Sequence, residues 1–249
     1  MNDIRSDPAA PPPQSVRVAV PQSAPYVTYA IIGITAVIFI LQLATRSLLQ
    51  VDIPAVLFIK SNEWIRAGQV WRLLTPMLLH GSLVHIGFNM YALLAFGVGL
   101  ERHFGHGRFL LLYVLGAFAG NVASFLLTDA NSLGASTAVF GLLGAEGIFL
   151  IQNRKLFAGQ FRSAIGNIIF IAAINLFLIG SLPGIDNWGH IGGLIGGLMF
   201  TSFAGPLYEV EGIYPAYQLA DRRPFSAVMI GAATVVVIFG GLAMWGMVR

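Results

Sequence analysis

Long apolar runs, broken at intervals by Gly, Pro or a charged residue, dominate the 249-residue sequence and predict seven membrane-crossing helices near 27–45, 83–100, 109–128, 135–152, 164–182, 188–204 and 225–247. Each run approaches the roughly 20 residues that a helix needs to cross about 30 Å of hydrocarbon. The second and sixth are the least clean, because His80 and His85 stand at the head of one and His190 lies inside the other. The fold class expected is all-α, a polytopic membrane helical bundle. Residues 1–25, with Ala9-Ala10-Pro11-Pro12-Pro13 and more prolines at 21 and 25, predict a disordered tail. The long 46–82 connection carries Trp64, Trp71 and Pro76, and predicts a structure half-sunk among lipid head groups.

Composition strengthens the membrane reading. Hydrophobic residues make up 56% and charged residues 10% of the chain, mean hydropathy is +0.76, and soluble domains carry roughly 25% charge. Too little charge remains to coat a soluble globule. The absence of cysteine excludes a disulfide framework, a thiol nucleophile and a thiolate-held metal. The net charge of +3 is small and the basic residues are scattered, so no nucleic acid partner is expected. Arg5, Arg17, Arg102, Arg108, Arg154, Lys155, Arg162, Arg222 and Arg223 fall on the side of the N-terminus, against Arg46, Lys60, Arg66, Arg72 and Arg249 on the other. That bias predicts a cytoplasmic N-terminus and a C-terminus outside. Neither a signal peptide nor a transit peptide is legible, which points to a plasma or bacterial inner membrane.

Polar groups at membrane depth cost about 2.5–3.5 kcal/mol each on insertion scales, so each needs a reason. Beside the three histidines they are Asn89, Glu101, Asn121, Ser136, Glu146 and Asn175. On a helix, His85 and Asn89 share one face about 40° apart, while His80 is turned away by roughly 140°. A metal site would be the rival use of these histidines, but no H-E-x-x-H arrangement and no completing carboxylate accompany them. Hydrogen bonding to neighbouring helices is the plain alternative.

Ser136 opens the fourth run, where free backbone N–H groups and the positive end of the helix dipole would stabilise a developing oxyanion. Helix capping is the equally simple use of a serine there. In the sixth run His190, Gly193 and Gly197 fall on one face, an imidazole at the head of a small-residue groove. If the partner in that groove is the fourth helix, with its own Gly141 and Gly144, Ser136 and His190 meet. An imidazole with an ordinary pKa near 6.5 is then a competent base at neutral pH. Asp186, one turn earlier, either orients the histidine or belongs to the connecting turn.

Several spaced segments agree in order: Trp71-Arg72, His80-x4-His85-x3-Asn89, Glu101-Arg102-x-Phe104-Gly105, Gly134-Ala135-Ser136 and His190-x2-Gly193-x3-Gly197. Together they resemble the rhomboid family of intramembrane serine proteases, over about residues 60–205. The resemblance implies a six-helix catalytic core within 26–205, followed over 206–249 by a cytoplasmic connection and a seventh span. It implies a serine-type endopeptidase that uses no cofactor or metal. Its substrates would be single-span membrane proteins in the lipid bilayer, cut in or near their transmembrane helices. Ser136 would be the nucleophile and His190 the base; the Ser136 N–H, His85 and Asn89 would hold the oxyanion, and Phe140 would pack on the His190 ring. Water would reach the serine through a polar cavity lined by His80, His85, Asn89 and His190. Trp71 and Arg72 would be structural.

Two positions depart from the family pattern. Thr137 stands where glycine commonly follows the serine, which adds a β-branched side chain beside the oxyanion site and bears on substrate fit more than on the dyad; Gly189 replaces the usual alanine before the histidine. Glu146 has no role in this reading. Two other readings use the same polar residues. A non-catalytic rhomboid-like protein would bind membrane clients, but its usual mark is loss of the serine or histidine, and both are present. A transporter would gain from inverted repeats, and none is legible. The sequence sets no oligomeric state.

Overall fold

The computed structural model describes residues 22–157, 159–213 and 216–249, so the expected disordered tail lies outside the described residues as far as residue 21. Helix α1 (Tyr26–Leu49) corresponds to the first apolar run. The long connection that follows folds into α2 (Ile53–Phe58), α3 (Asn62–Arg66) and two 3-10 turns, Val70–Leu73 and Thr75–Leu78. Asp52 caps α2 by accepting from the Ala55 N–H at 3.0 Å, with Pro54 in the first turn where its missing N–H costs nothing.

The second and third apolar runs form one 45-residue helical stretch, Leu83–Leu127. It comprises α4 (Leu83–Ala92), a π-helical turn Leu93–Gly97, and α5 (Val98–Leu127). Gly105, at φ 74° and ψ 165°, breaks it where the chain turns back. That left-handed φ favours glycine. Helix α6 (Ser136–Gln152) is a shorter apolar helix. Helix α7 (Phe161–Ala173) runs into a π-helical end, Ile174–Ile179, and is followed by α8 (Asn187–Ala204) and α9 (Phe225–Val248). Among the described residues, four stretches are long and apolar enough to cross a membrane: Tyr26–Leu49, Leu83–Leu127, Phe161–Ile179 and Phe225–Val248.

Helices α5, α6 and α8 form the centre of the bundle, with Phe109, Leu112, Phe125, Leu142, Phe149 and Phe200 buried among them. Glycine sets the spacing of α6 and α8: a Cβ on Gly193 would overlap the Thr137 carbonyl oxygen, and one on Gly197 that of Gly141. Without a side chain the backbones approach to direct contact. Helix α7 has no buried residue and lies at the edge.

The two ends of the bundle are tied differently. At one end, Glu101 of α5 is fully buried and accepts from the Val27 and Thr28 N–H groups and the Thr28 hydroxyl at 2.7–2.8 Å, capping α1 from a distant part of the chain. The same end carries the one departure from helix among the described regular elements, a hairpin of β1 (Tyr208–Ile213) and β2 (Ala216–Asp221). It is anchored by Tyr208, whose hydroxyl donates to the His103 carbonyl at 3.0 Å and whose N–H donates to Asn153 Oδ1 at 2.9 Å. The opposite end gathers the 50–82 segment, the 128–135 loop and the start of α8.

Candidate active site

Ser136 is the first residue of α6, and the first helical hydrogen bond there runs from the Val139 N–H to the Ala135 carbonyl at 3.0 Å. The amides of Ser136, Thr137 and Ala138 therefore precede the helical ladder and carry the positive end of the dipole. The loop into the serine is held from two sides. Gly134 donates to the Pro76 carbonyl at 2.9 Å, and the Ala135 N–H meets His80 Nε2 at 3.4 Å. Gly134 has φ 132° and a Cβ there would lie 2.7 Å from His85 Nε2, so only glycine fits.

Across the bundle, α8 brings His190 to this serine. His190 Nε2 and Ser136 Oγ are 2.9 Å apart, between residues 54 positions apart in the chain. The imidazole lies flat on the Phe140 ring, with centroids 4.3 Å apart and planes 9° from parallel. His190 Nδ1 has no hydrogen-bond partner among the described residues, so no carboxylate holds the far side of the ring. Ser136 is half-buried and His190 buried, an arrangement in which a serine hydroxyl can pass its proton to a base while remaining reachable.

The remaining predicted residues lie close by with differing partners. His85 sits over Gly134 and meets the edge of the His80 ring at 5.0 Å; its Nδ1 accepts from the Gly81 N–H at 3.3 Å. Asn89 is buried one turn further along α4, and its amide donates to the His85 carbonyl at 2.9 Å, within its own helix. His80 is fully buried. Trp71 and Arg72 serve the loop: the Arg72 guanidinium donates to Gln69 Oε1, the Ile59 carbonyl and the Val56 carbonyl at 2.7–2.8 Å. Cavities of about 360 Å³ beside Trp64 and Trp71, and of about 280 Å³ beside Arg66 and Arg249, lie away from Ser136. Glu146 is half-buried on α6 and makes no hydrogen bond or ion pair among the described residues.

Thr137 requires a correction. Its side chain, expected beside an oxyanion site, turns instead between α5 and α8, where Cβ and Cγ2 lie 2.5 and 2.8 Å from the place a Cβ on Gly120 would take. A Cβ on Gly189 would come within 3.1 Å of Thr137 Cγ2. The two departures from the family pattern are thus complementary: the methyl absent at Gly189 makes room for the one added at Thr137.

A polar cluster behind the serine was not legible as such. Asp186 accepts from the Gly189 N–H at 3.0 Å and the Thr128 hydroxyl at 3.1 Å, and it also accepts from the Ser124 hydroxyl. Lys60, read from the sequence only as charge on a connection, is fully buried; its ammonium donates to the Thr128 and Ala130 carbonyls at 2.7 and 2.9 Å. Its backbone pairs with Ser132. Burial pushes the Lys60 pKa down to about 8, against the opposing pull of Asp186 and Asp129. No local pattern marks a lysine that finds its acceptors about 70 residues away.

The comparisons with known proteins fall on the same stretch of chain. Rhomboid protease GluP of Bacillus subtilis (strain 168) is 37% identical over 218 residues, 88% of this chain and 41% of that protein. RHOMBOID-like protein 6, mitochondrial, of Arabidopsis thaliana is 35% identical over 72% of this chain and 62% of its own length. RHOMBOID-like protein 1 of the same plant is 43% identical over 71% of this chain and 47% of its own. The chain spans about half the length of these curated relatives. The Rhomboid domain model matches residues 67–206, which hold Ser136, His190 and Phe140. With more than half of its residues inside that match, this integral membrane chain belongs to the rhomboid family.

Proposed function

We propose that the chain is an intramembrane serine endopeptidase that cleaves peptide bonds in or near the transmembrane helices of single-span proteins. The observation that carries the reading is the 2.9 Å approach of His190 Nε2 to Ser136 Oγ at the open start of a helix. Ser136 Oγ attacks the scissile carbonyl carbon as His190 Nε2 takes the hydroxyl proton. The resulting oxyanion is held by the Ser136 N–H with donors from His85 and Asn89, for which the Asn89 amide must leave the His85 carbonyl. Collapse expels the amine, which receives the proton from His190, and leaves an acyl-serine. Water, deprotonated by the same imidazole, then releases the acid and restores the serine.

In this reading residues 26–205 form a six-span core with 206–249 as connection and seventh span. The N-terminus is cytoplasmic, the C-terminus and the serine end lie outside, and the membrane is a plasma or bacterial inner membrane. The arginine and lysine bias of the connections supports that orientation.

The test is cleavage of a single-span reporter by the purified chain in liposomes, with Ser136→Ala, His190→Ala and a chelator. Cleavage that both substitutions abolish in folded protein, and that the chelator leaves intact, is the expected result. If the wild type cuts none of several reporters with small-residue helices, the reading gives way to a client-binding rhomboid-like protein.

A further inference from the structure

We propose that Asp186 is a positioning residue that fixes the height and rotation of His190 against Ser136, a role that rests on reading those two as the catalytic pair. Histidine bases are commonly held by a carboxylate on the second ring nitrogen. Here His190 Nδ1 has no partner among the described residues, and one face of the ring rests on Phe140. The imidazole therefore inherits its placement from the backbone of the first turn of α8.

That turn is poorly suited to hold itself. It follows an exposed loop, and Gly189, Gly192 and Gly193 fall within its first seven residues. Glycine is the weakest ordinary helix former, and the first turn of any helix lacks internal partners for its N–H groups. Asp186 supplies them. Its carboxylate accepts from the Gly189 N–H at 3.0 Å, and its own carbonyl accepts from the His190 N–H at 3.1 Å. One residue thus holds two consecutive amides, the second of them the histidine's own.

The same carboxylate is fastened sideways. The Ser124 hydroxyl donates to Oδ2 and the Thr128 hydroxyl to Oδ1, and these two residues lie one turn apart at the end of α5. Helix α5 also packs on α6, whose first residue is the serine, through Gly116 against Gly141. The chain of contacts runs from serine helix to α5, to Asp186, to the histidine amide. Losing the clamp frees the start of α8 to rotate or slide, and a displacement near 1 Å is enough to cost about 100-fold in rate.

The test uses the whole 249-residue chain in detergent, with reaction of Ser136 with a fluorophosphonate probe and cleavage of a single-span reporter as parallel readouts. Asp186→Ala is expected to slow probe labelling and kcat by about 10- to 100-fold, with KM within about twofold, because the clamp touches no substrate. Asp186→Asn, whose amide oxygen still accepts from the Gly189 N–H, should recover labelling to within about fivefold of wild type. A purely structural role would lower activity only in step with the folded fraction and leave labelling of the folded protein unchanged.

Wild-type labelling by folded Asp186→Ala overturns the proposal. If Asp186→Ala does not fold, the Ser124→Ala, Thr128→Val pair decides: slowed labelling at an unchanged thermal midpoint supports it, and wild-type labelling overturns it. The underlying reading fails separately. If wild type, Ser136→Ala and His190→Ala are equally unreactive and uncleaving, there is no catalytic pair to position, and the role of Asp186 falls with it.

Discussion

Placing alanine at Gly189 tests whether the two departures from the family pattern depend on each other. A Cβ there would lie 3.0 Å from the Asp186 carboxylate and 3.1 Å from Thr137 Cγ2, against the roughly 3.5–4.0 Å of comfortable carbon contacts. Overpacking of this kind costs about 1–3 kcal/mol, while glycine to alanine in a helix returns about 1 kcal/mol. Gly189→Ala alone should therefore destabilise by about 1 kcal/mol. Thr137→Ala removes Cγ2, the obstacle, together with a buried hydroxyl that has no partner among the described residues. Lost packing and relief of an unpaired polar group, each about 1 kcal/mol, leave that single change close to neutral. In the double variant only the Asp186 contact still opposes the new methyl. The two substitutions should then couple favourably by about 1 kcal/mol. Equilibrium unfolding in detergent of all four members of the cycle measures this. Additivity within about 0.5 kcal/mol, or stabilisation by Gly189→Ala alone, would refute the complementarity.

Lys60 has its pKa lowered from 10.5 to about 8 in the folded protein. Between those values the unfolded chain binds more protons, so stability rises with pH across about pH 8–10.5, by an amount on the order of 3 kcal/mol. Lys60→Met should remove that slope from an unfolding series taken over the window. Glu101→Ala leaves the Val27 and Thr28 amides and the Thr28 hydroxyl without their acceptor. It should cost about 2–4 kcal/mol in the same unfolding assay, as expected for breaking charged hydrogen bonds in a buried site. Phe140→Ala removes the ring on which His190 lies. It should lower reporter cleavage by about 10-fold or more through loss of orientation, with a KM change of less than threefold.

The helices were legible because lipid leaves a blunt signature, namely long stretches without charge. Ser136 and His190 were legible for a different reason: each is a polar residue whose burial in an apolar run needs explanation, and the Gly193 and Gly197 face pointed toward a close partner. Much of what surrounds them was hidden. The direction of the Thr137 side chain depends on the absence of side chains at Gly120 and Gly189, residues on two other helices. Lys60 and Asp186 find acceptors or donors about 60–70 positions away, a pairing that no local spacing encodes. The β1–β2 hairpin was missed because its short, weakly alternating strands sit in a connection beside much stronger apolar signals. The π-helical turns at Leu93–Gly97 and Ile174–Ile179 were missed because one inserted residue barely changes an apolar pattern.

The cap that Glu101 places on α1 has a consequence for biogenesis. The amides of Val27 and Thr28 leave the ribosome 74 and 73 residues ahead of the carboxylate that receives them. At about 5–20 residues per second of synthesis, that interval is roughly 4–15 s. During it the leading amides of the first helix lack this acceptor, and they gain it only once the second apolar run, which ends at residue 100, has been made. Loss of Glu101 should therefore lower the yield of inserted protein by removing that late contact between the first helix and α5.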